Sequence, residues 1–290
     1  MTFLQPRSWA DALEARAAHP EAVAVAGGTD VLVEVNFDRA HLSSVIDLTR
    51  APELRTWELG PYDVRVGAGV TYTELIAGLA ADLPALAQAA RTVGSPPIRN
   101  RGTIGGNLGS ASPAGDCHPP LLAAGASVEL ASRRGPRAVP VREFFVGPKR
   151  NVLAADELIA AVRVPRTAGP QVFTKVGPRN AMVIAVCSFA LSLDPAHRRV
   201  GTGMGSVGPV PLQASGAEHF LEDFLEETGR WRSREALPTD AVERFADLVS
   251  GAARPIDDVR GTAAYRRHAL HVLARRSLVW CWDDYRGGGA

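Results

Sequence analysis

The sequence is poor in cysteine, and the cysteines that it has are scattered. Its 290 residues include three, Cys117, Cys187 and Cys281. An odd and unclustered set argues against a disulfide framework, and it cannot supply the full set of thiolates that an iron-sulfur cluster usually requires. Any such cluster that serves this protein must therefore lie on another chain.

Long apolar runs and an excess of charge are also absent. The longest apolar run, 181–193, is too short to cross a bilayer as a helix, which needs about 20 residues. Residues 1–20 carry Asp11 and Glu14 and lack the apolar core of a signal peptide, so we expect a cytoplasmic protein without a membrane span. The formal net charge is +1, and no basic tract is interleaved with aromatic residues, so nothing favours nucleic-acid binding.

The motifs of the common hydrolytic and phosphate-transferring enzymes are missing. There is no G-x-S-x-G elbow, no H-E-x-x-H pair and no Walker A loop, and the seven histidines show no metal-ligand spacing. His118, beside Cys117, could be a metal ligand or a site of flavin attachment, but the adjacent prolines at 119–120 favour a structural turn. The chain has little acid-base chemistry of its own, which is typical of proteins whose cofactor carries the reaction.

The sequence does contain glycine pairs in two segments that resemble each other chemically. VAGGTD at 25–30 follows an apolar run, and TIGGN at 103–107 lies inside a stretch rich in glycine and proline, 99–120. Glycine accepts positive φ and lets a ligand approach the main chain, and successive N–H groups can form a concave nest for phosphate oxygens. A lone glycine pair is more often a plain tight turn. Two such segments together favour a pyrophosphate held from two sides.

The hydrophobic pattern predicts an α+β chain whose character changes near Pro165. The first part has a βαβ unit, with buried strands at 22–26 and 44–48 around a helix from Thr29 to Val35. Later elements are a hairpin at 57–59 and 64–67, helices at 9–19, 72–80 and 84–92, and short strands at 126–131, 138–141 and 158–164. Beyond Pro165 the pattern predicts strands at 173–176, 181–193 and 199–207 in an antiparallel sheet, then helices at 218–227, 239–250 and 262–280.

The last predicted helix is strongly basic. We expect its charged residues on a solvated face that binds nothing. They are Arg266, Arg267, His268, Arg275 and Arg276.

Six motifs together occur in the order and spacing of one family. They are AGGTD at 26–30, IRNRGTIGGN at 98–107, SPAGD at 112–116, DELI at 156–159, FTKVGPR at 173–179 and YRRH at 265–268. On these motifs the chain resembles the FAD-binding medium subunit of the molybdenum hydroxylases. This family contains carbon monoxide dehydrogenase and the flavin domain of xanthine dehydrogenase, and the resemblance runs nearly end to end.

The resemblance implies a fold and a domain organisation. Residues 1–168 are expected to form an α+β FAD-binding domain of the vanillyl-alcohol-oxidase (PCMH) type, with subdomains at about 1–55 and 56–168. Residues 169–290 are expected to form a C-terminal domain of the CO dehydrogenase flavoprotein type, with a three-stranded antiparallel sheet and helices.

The resemblance also implies that FAD is the cofactor and which residues bind it. The two glycine segments are expected to hold the pyrophosphate, and Asp116 to accept hydrogen bonds from sugar or ribityl hydroxyls. Ile159 is expected near the flavin, and Lys175 near its ring or its chain. No catalytic side chain or metal ligand is expected. The complete set is Val25, Ala26, Gly27, Gly28, Thr29, Asp30, Val31, Thr103, Ile104, Gly105, Gly106, Asn107, Asp116, Ile159 and Lys175.

The implied role is that of an oxidoreductase subunit in a larger complex. A molybdenum-cofactor subunit oxidises the substrate, an iron-sulfur subunit carries the electrons, and the FAD of this chain passes them to NAD, a quinone or oxygen. The expected assembly is a heterotrimer or a dimer of heterotrimers. Two alternatives stay open on the sequence: a stand-alone FAD-dependent oxidoreductase, and a non-catalytic nucleotide-binding module.

Overall fold

The chain, which the computed structural model describes over residues 1–288, begins with a small parallel sheet. Its strands lie in the order β1-β3-β2, and helices α1 and α2 connect them. The bounds are β1 (Thr2–Leu4), α1 (Trp9–Ala18), β2 (Val23–Val25), α2 (Val31–Asn36) and β3 (Ser44–Asp47). The Asp11 N–H donates to the Ser8 hydroxyl at the start of α1. The predicted βαβ unit is confirmed, but α2 begins two residues after Thr29, and β2 is only half-buried because one side of it lines a cleft.

A five-stranded antiparallel sheet forms the centre of the next part of the chain. Its order is β4-β5-β10-β6-β7, and a short hairpin of β8 and β9 lies between β7 and β10 in sequence. The bounds are β4 (Trp57–Leu59), β5 (Asp63–Gly67), β6 (Ser127–Ser132), β7 (Gly135–Pro140), β8 (Phe145–Gly147), β9 (Arg150–Asn151) and β10 (Leu158–Pro165). The predicted hairpin and the three predicted strands are confirmed.

Six helices pack beside this sheet. They are α3 (Tyr72–Gly78), α4 (Pro84–Thr92), α5 (Pro96–Arg99), α6 (Ile104–Ser110), α7 (His118–Ala123) and α8 (Val141–Phe144). Helix α3 begins with a reciprocal capping box between Thr71 and Glu74, and its Leu75 is fully buried. The glycine-rich stretch at 99–120 thus contains the short helix α6 and the start of α7, whereas the sequence favoured turns there. Thr103 caps α6, and prolines start α5 and α7, where a missing N–H costs nothing.

The C-terminal part has the predicted three-stranded antiparallel sheet, in the order β11-β12-β13. The bounds are β11 (Gln171–Val176), β12 (Cys187–Asp194), β13 (Arg199–Gly205), α9 (Ser215–Glu227), α10 (Arg230–Ser233), α11 (Thr239–Ala252) and α12 (Ala263–Gly287). Strand β12 begins at Cys187 and not at residue 181, because the preceding segment is irregular. A second hydrophobic core, which includes Phe189, Phe245 and Trp282, lies between this sheet and the helices.

Two contacts join the N-terminal and C-terminal parts closely. The Phe173 N–H on β11 donates to the Gln88 side chain on α4 at 2.8 Å. Helix α7 lies against β13 at Gly201 and Gly203, where an added Cβ would overlap a main-chain carbonyl of α7 in each case. The main chains of α7 and β13 can approach this closely only because β13 carries glycine there.

The basic face of α12 is only partly solvated. Arg267 is exposed, as are His268, Arg275 and Arg276, but Arg266 is 2% exposed. The Arg266 guanidinium donates to the carbonyls of Val186 at 2.6 Å and Ser206 at 2.8 Å, and to Asp258 at 2.6 Å. The expectation of a wholly solvated face is wrong at this residue. Arg266 precedes the buried Ala269, Leu270 and Leu273 at helical spacing, so it points to the core.

Candidate cofactor site

One cleft brings the two glycine segments together. Its volume is about 610 Å³, within the range of roughly 300–1,000 Å³ that is usual for cofactor sites. Of the predicted residues, those that line it are Val25, Ala26, Gly27, Gly28, Thr29, Asp30, Val31, Thr103, Gly105, Gly106, Asn107, Asp116 and Ile159. Two predicted residues do not line it. Ile104 is fully buried in the first core, and Lys175 reaches the site through Asp116.

The first glycine segment offers free hydrogen-bond donors. Among residues 1–288, no acceptor is found for the N–H groups of Gly27, Gly28, Thr29 and Asp30. Gly28 has a φ of 73°, in the left-handed region, and helix α2 begins directly after Asp30. Consecutive free N–H groups around a left-handed residue form an anion-binding nest. This segment therefore has the chemistry predicted for a phosphate site.

The second glycine segment differs from its prediction, because its donors are already used. It is the first turn of α6, where the Ile104 N–H donates to the Val70 carbonyl at 3.1 Å and the Gly105 N–H to the Ala68 carbonyl at 2.9 Å. The Gly106 N–H donates to the Thr103 hydroxyl at 2.9 Å. The expectation of a second set of free N–H groups is wrong, since Thr103 and two neighbouring carbonyls satisfy them.

The glycines of this second segment act through the space that they leave. An added Cβ at Gly105 would lie 2.5 Å from the Cβ of Ala68, so Gly105 permits close packing of α6 on the chain after β5. Gly106 is exposed, and an added Cβ there would meet only the Thr103 hydroxyl, at 3.1 Å. Neither glycine has a positive φ. A side chain at residue 106 would therefore intrude on the cleft and not on the core.

The first glycine segment packs on the residues directly before the second. A Cβ added to Gly27 would overlap the carbonyl of Arg101 and would lie 2.9 Å from the Cα of Gly102. Gly102 in turn packs on Tyr72 and Ile98, which also line the cleft. Glycine at residue 27 is thus required by contact between the two walls, in addition to any ligand.

Asp116 and Lys175 form a buried ion pair beside the cleft. The Lys175 ammonium donates to Asp116 Oδ2 at 2.6 Å, and their side chains are 8% and 7% exposed. The Thr92 hydroxyl donates to the same oxygen at 3.0 Å, whereas Asp116 Oδ1 is buried and has no partner among the described residues. Burial raises the pKa of the Asp116 carboxyl above its usual value, and Lys175 opposes that shift. Asp116 does not cap a helix, so its free oxygen stays available to a hydroxyl or N–H of a ligand.

His118 has a structural role next to the site, where it contacts the cleft residue Asn107. It is fully buried, its ring lies 4.5 Å from that of Phe145, and its Nε2 lies 3.1 Å from the carbonyl oxygen of Asn107. Burial lowers the pKa of His118 to about 4. The ring is therefore neutral at neutral pH, and Nε2 must carry the proton because a carbonyl only accepts. His118 ties the start of α7 to α6. Among residues 1–288 no cluster of potential metal ligands is found.

Sequence reasoning missed two residues that shape the cleft, Arg16 and Thr92. Arg16 ends the alanine-rich α1, and its Nη1 donates to the Ala22 carbonyl at 2.5 Å. Thr92 ends α4 and holds Asp116. An arginine in the last turn of a helix is normally explained by the helix dipole, so the sequence carried no signal of a cleft.

Unsatisfied polar atoms show that the cleft suits a polar ligand. Three buried atoms of cleft residues have no partner among the described residues: Arg16 Nε, Asn107 Oδ1 and Asp116 Oδ1. Buried polar groups are normally hydrogen-bonded, because an unpaired one costs about 1–3 kcal/mol. Donors and acceptors in one cleft, with a nest of free N–H groups, fit a dinucleotide that carries a pyrophosphate, hydroxyls and heterocyclic rings.

Two protein families match the chain in sequence. The FAD binding domain in molybdopterin dehydrogenase matches residues 1–167, and the CO dehydrogenase flavoprotein C-terminal domain matches residues 173–281. The chain belongs to the family of FAD-binding subunits of molybdopterin dehydrogenases. The predicted resemblance, the fold, FAD as cofactor and the class of oxidoreductase subunit are thereby confirmed.

Individual relatives match over nearly their whole length. The nicotine 6-hydroxylase medium subunit of Paenarthrobacter nicotinovorans is 32% identical, over 96% of this chain and 95% of that protein. The carbon monoxide dehydrogenase medium chain of Hydrogenophaga pseudoflava is 30% identical, over 90% of each. A chain in the structure of the latter enzyme superposes with a TM-score of 0.87 at 28% identity, over 98% of this chain and 97% of that one. Among residues 1–288, no helix combines the length and apolar character needed to cross a membrane.

Proposed function

We propose that this chain is the electron-transfer subunit of a molybdenum hydroxylase complex. It holds FAD between the iron-sulfur clusters of a partner subunit and an external acceptor such as NAD, a quinone or oxygen, and it works in the cytoplasm. The observation that carries the proposal is the cleft that the nest at Gly27–Asp30 and the second glycine segment both line, close to the buried pair of Asp116 and Lys175.

The residues divide the work of holding the cofactor. The N–H groups at Gly27–Asp30 bind the pyrophosphate, and Gly106 leaves room for it opposite. Asp116 accepts from a hydroxyl through Oδ1, while Lys175 and Thr92 fix its other oxygen. Val25, Val31 and Ile159 supply apolar surface, and the Asn107 side chain supplies an acceptor. When bound, FAD supplies reversible redox chemistry that no side chain of the protein offers.

Two of the four carboxylates that line the cleft, those of Asp116 and Glu157, are already engaged, which supports a relay over an enzyme that oxidises its own substrate. Both Glu157 oxygens accept from Arg137, at 2.6 and 2.7 Å, and one of them also accepts from the Ala154 N–H. Arg137 thereby lowers the pKa of Glu157, and Asp116 is held by Lys175. Carboxylates that are engaged in this way are poorly placed to take a proton from a substrate. This supports delivery of the electrons by a partner subunit, in line with the relatives that are medium subunits.

Anaerobic reduction of the flavin tests the proposal. The chain is purified alone and together with its iron-sulfur and molybdenum partners. A small organic substrate is then added, and the absorbance of the flavin band at about 450 nm is followed. We expect bleaching only in the assembled complex, a heterotrimer or a dimer of heterotrimers. Rapid bleaching of the isolated chain would favour the stand-alone oxidoreductase. A preparation without a flavin spectrum would favour the non-catalytic module.

A further inference from the structure

Arg16 is a half-buried arginine that leaves most of its donors unused. Its Nη1 donates to the Ala22 carbonyl, and its Nε is buried without a partner among residues 1–288. Glu21 and Asp156 act on it through space, but the Glu21 carboxylate accepts from Ser44 and the Asp156 carboxylate from Arg134. The guanidinium is therefore held by one main-chain bond and faces a cleft that it helps to line.

Two other arginines of the chain, the buried Arg266 and the more exposed Arg137, each use several donors. Arg266 bonds Asp258 and two carbonyls, and Arg137 makes two bonds to Glu157 and one to the Val152 carbonyl. Leaving a buried donor unpaired costs free energy, and the cost is larger for a charged group. The unused donors of Arg16, in a cofactor cleft, point to acceptor atoms that the ligand supplies.

The anchor of Arg16 is separated from the nest by strand β2. The guanidinium is bound at Ala22, directly before β2, whereas the nest begins at Gly27, after it. The three residues of β2 alone span about 10 Å. An acceptor at one end of the dinucleotide therefore suits Arg16 better than the pyrophosphate in the middle.

The two ends of the cleft differ in character. Tyr72 and Ile98 pack on Gly102, which touches Gly27, so they belong to the part of the cleft beside the nest, whereas Arg16 is anchored at Ala22, before β2. Ile98 is 39% exposed and gives that end an open apolar rim, which suits a ring that must exchange electrons with another protein. The Arg16 end carries a cation with several donors, which suits the ring nitrogens and ribose oxygens of a nucleoside.

We propose that Arg16 binds the adenosine half of FAD, donating hydrogen bonds to acceptor atoms of adenine or its ribose. The proposal rests on the function proposed above and assigns a residue that sets preference for the dinucleotide over the mononucleotide. The matching role of the Gly102 end is to receive the flavin half.

Half-cofactors separate the possibilities. The full-length chain is freed of flavin, and the dissociation constants of ADP, FMN and FAD are measured by calorimetry for wild type, Arg16→Leu and Arg16→Lys. Arg267→Leu serves as the control, because Arg267 is exposed on α12. We expect Arg16→Leu to weaken ADP and FAD by about tenfold or more and to leave FMN unchanged. Arg16→Lys keeps the charge but loses the planar fork, so its loss should be smaller.

The outcomes distinguish this proposal from the one on which it rests. Unchanged ADP binding in Arg16→Leu, or weakening of FMN instead of ADP, overturns the assignment of Arg16 and leaves the flavoprotein function standing. If Arg16→Leu does not fold, unchanged ADP binding in Arg16→Lys overturns the assignment equally. A wild-type chain that binds no FAD overturns both proposals.

Discussion

Gly27 packs so tightly on the main chain of Arg101 that no side chain can be placed between them. This contact joins the nest to the residues directly before the second glycine segment. It also distinguishes Gly27 from Gly106, although the sequence gives both the same role in a glycine pair.

Gly27→Ala should destabilise the protein by about 1 to 3 kcal/mol, because its Cβ would force the two walls apart. Gly106→Ala should leave the free energy of unfolding within about 0.5 kcal/mol of wild type, since alanine suits a helix and the core is untouched. It should still lower the flavin content, because its Cβ faces the cleft. Denaturant unfolding and the flavin-to-protein ratio measure both effects, and a Gly27→Ala protein with wild-type stability would disprove the close contact.

The ion pair of Asp116 and Lys175 can be tested by a double-mutant cycle. Asp116→Asn and Lys175→Met should each destabilise the protein by about 3 kcal/mol, because each leaves the buried partner unpaired. The double variant should lose much less than the sum. Flavin affinity should fall in every variant that lacks the carboxylate. Additive losses of stability would show that the two groups do not interact.

His118 predicts a specific dependence of stability on pH. Its pKa is about 4 in the folded protein and 6.5 in the reference state, so the unfolded chain binds the extra proton between these values. The stabilising effect is complete above pH 6.5 and is lost as the pH falls towards 4, with a slope of roughly 1.4 kcal/mol per pH unit. His118→Gln keeps a donor for Asn107 but does not titrate, so the slope should become shallower by that amount.

Arg266 and Arg267 are neighbours with opposite environments. Arg266→Met should lower the free energy of unfolding by about 2 to 3 kcal/mol, because it removes charge-assisted bonds to Asp258 and to two carbonyls. Arg267→Met should change it by less than about 0.5 kcal/mol, as surface substitutions usually do. Equal effects in thermal or denaturant unfolding would contradict the buried position of Arg266.

Local signals explain what could be predicted from the sequence. Ser8 and Thr71 are N-cap residues that precede a helical pattern, so the starts of α1 and α3 could be predicted. The strands of both larger sheets could be predicted from their apolar patterns. The motifs at 26–30 and 103–107 could be assigned to one cofactor site because they match a family pattern. These features depend on neighbours in sequence, which is why a single sequence reveals them.

The remainder depends on contacts between distant residues. The N–H groups of Ile104 and Gly105 are satisfied by Val70 and Ala68, and nothing in TIGGN shows that these carbonyls lie nearby. Arg16 belongs to a helix whose end happens to face the cleft. Lys175 was placed near the site only by resemblance, because its bond to Asp116 joins residues 59 positions apart in sequence.

The glycines of β13 have a consequence for how the molecule can be divided. Helix α7 lies main chain to main chain against Gly201 and Gly203, and the loop that begins α7 presents Asp116 to Lys175. Cutting the chain near residue 168 would strip α7 of its support and leave Asp116 without its cation. We therefore expect the cofactor cleft and the C-terminal sheet to unfold as one cooperative unit. Their most slowly exchanging amides should then lose protection from hydrogen exchange together.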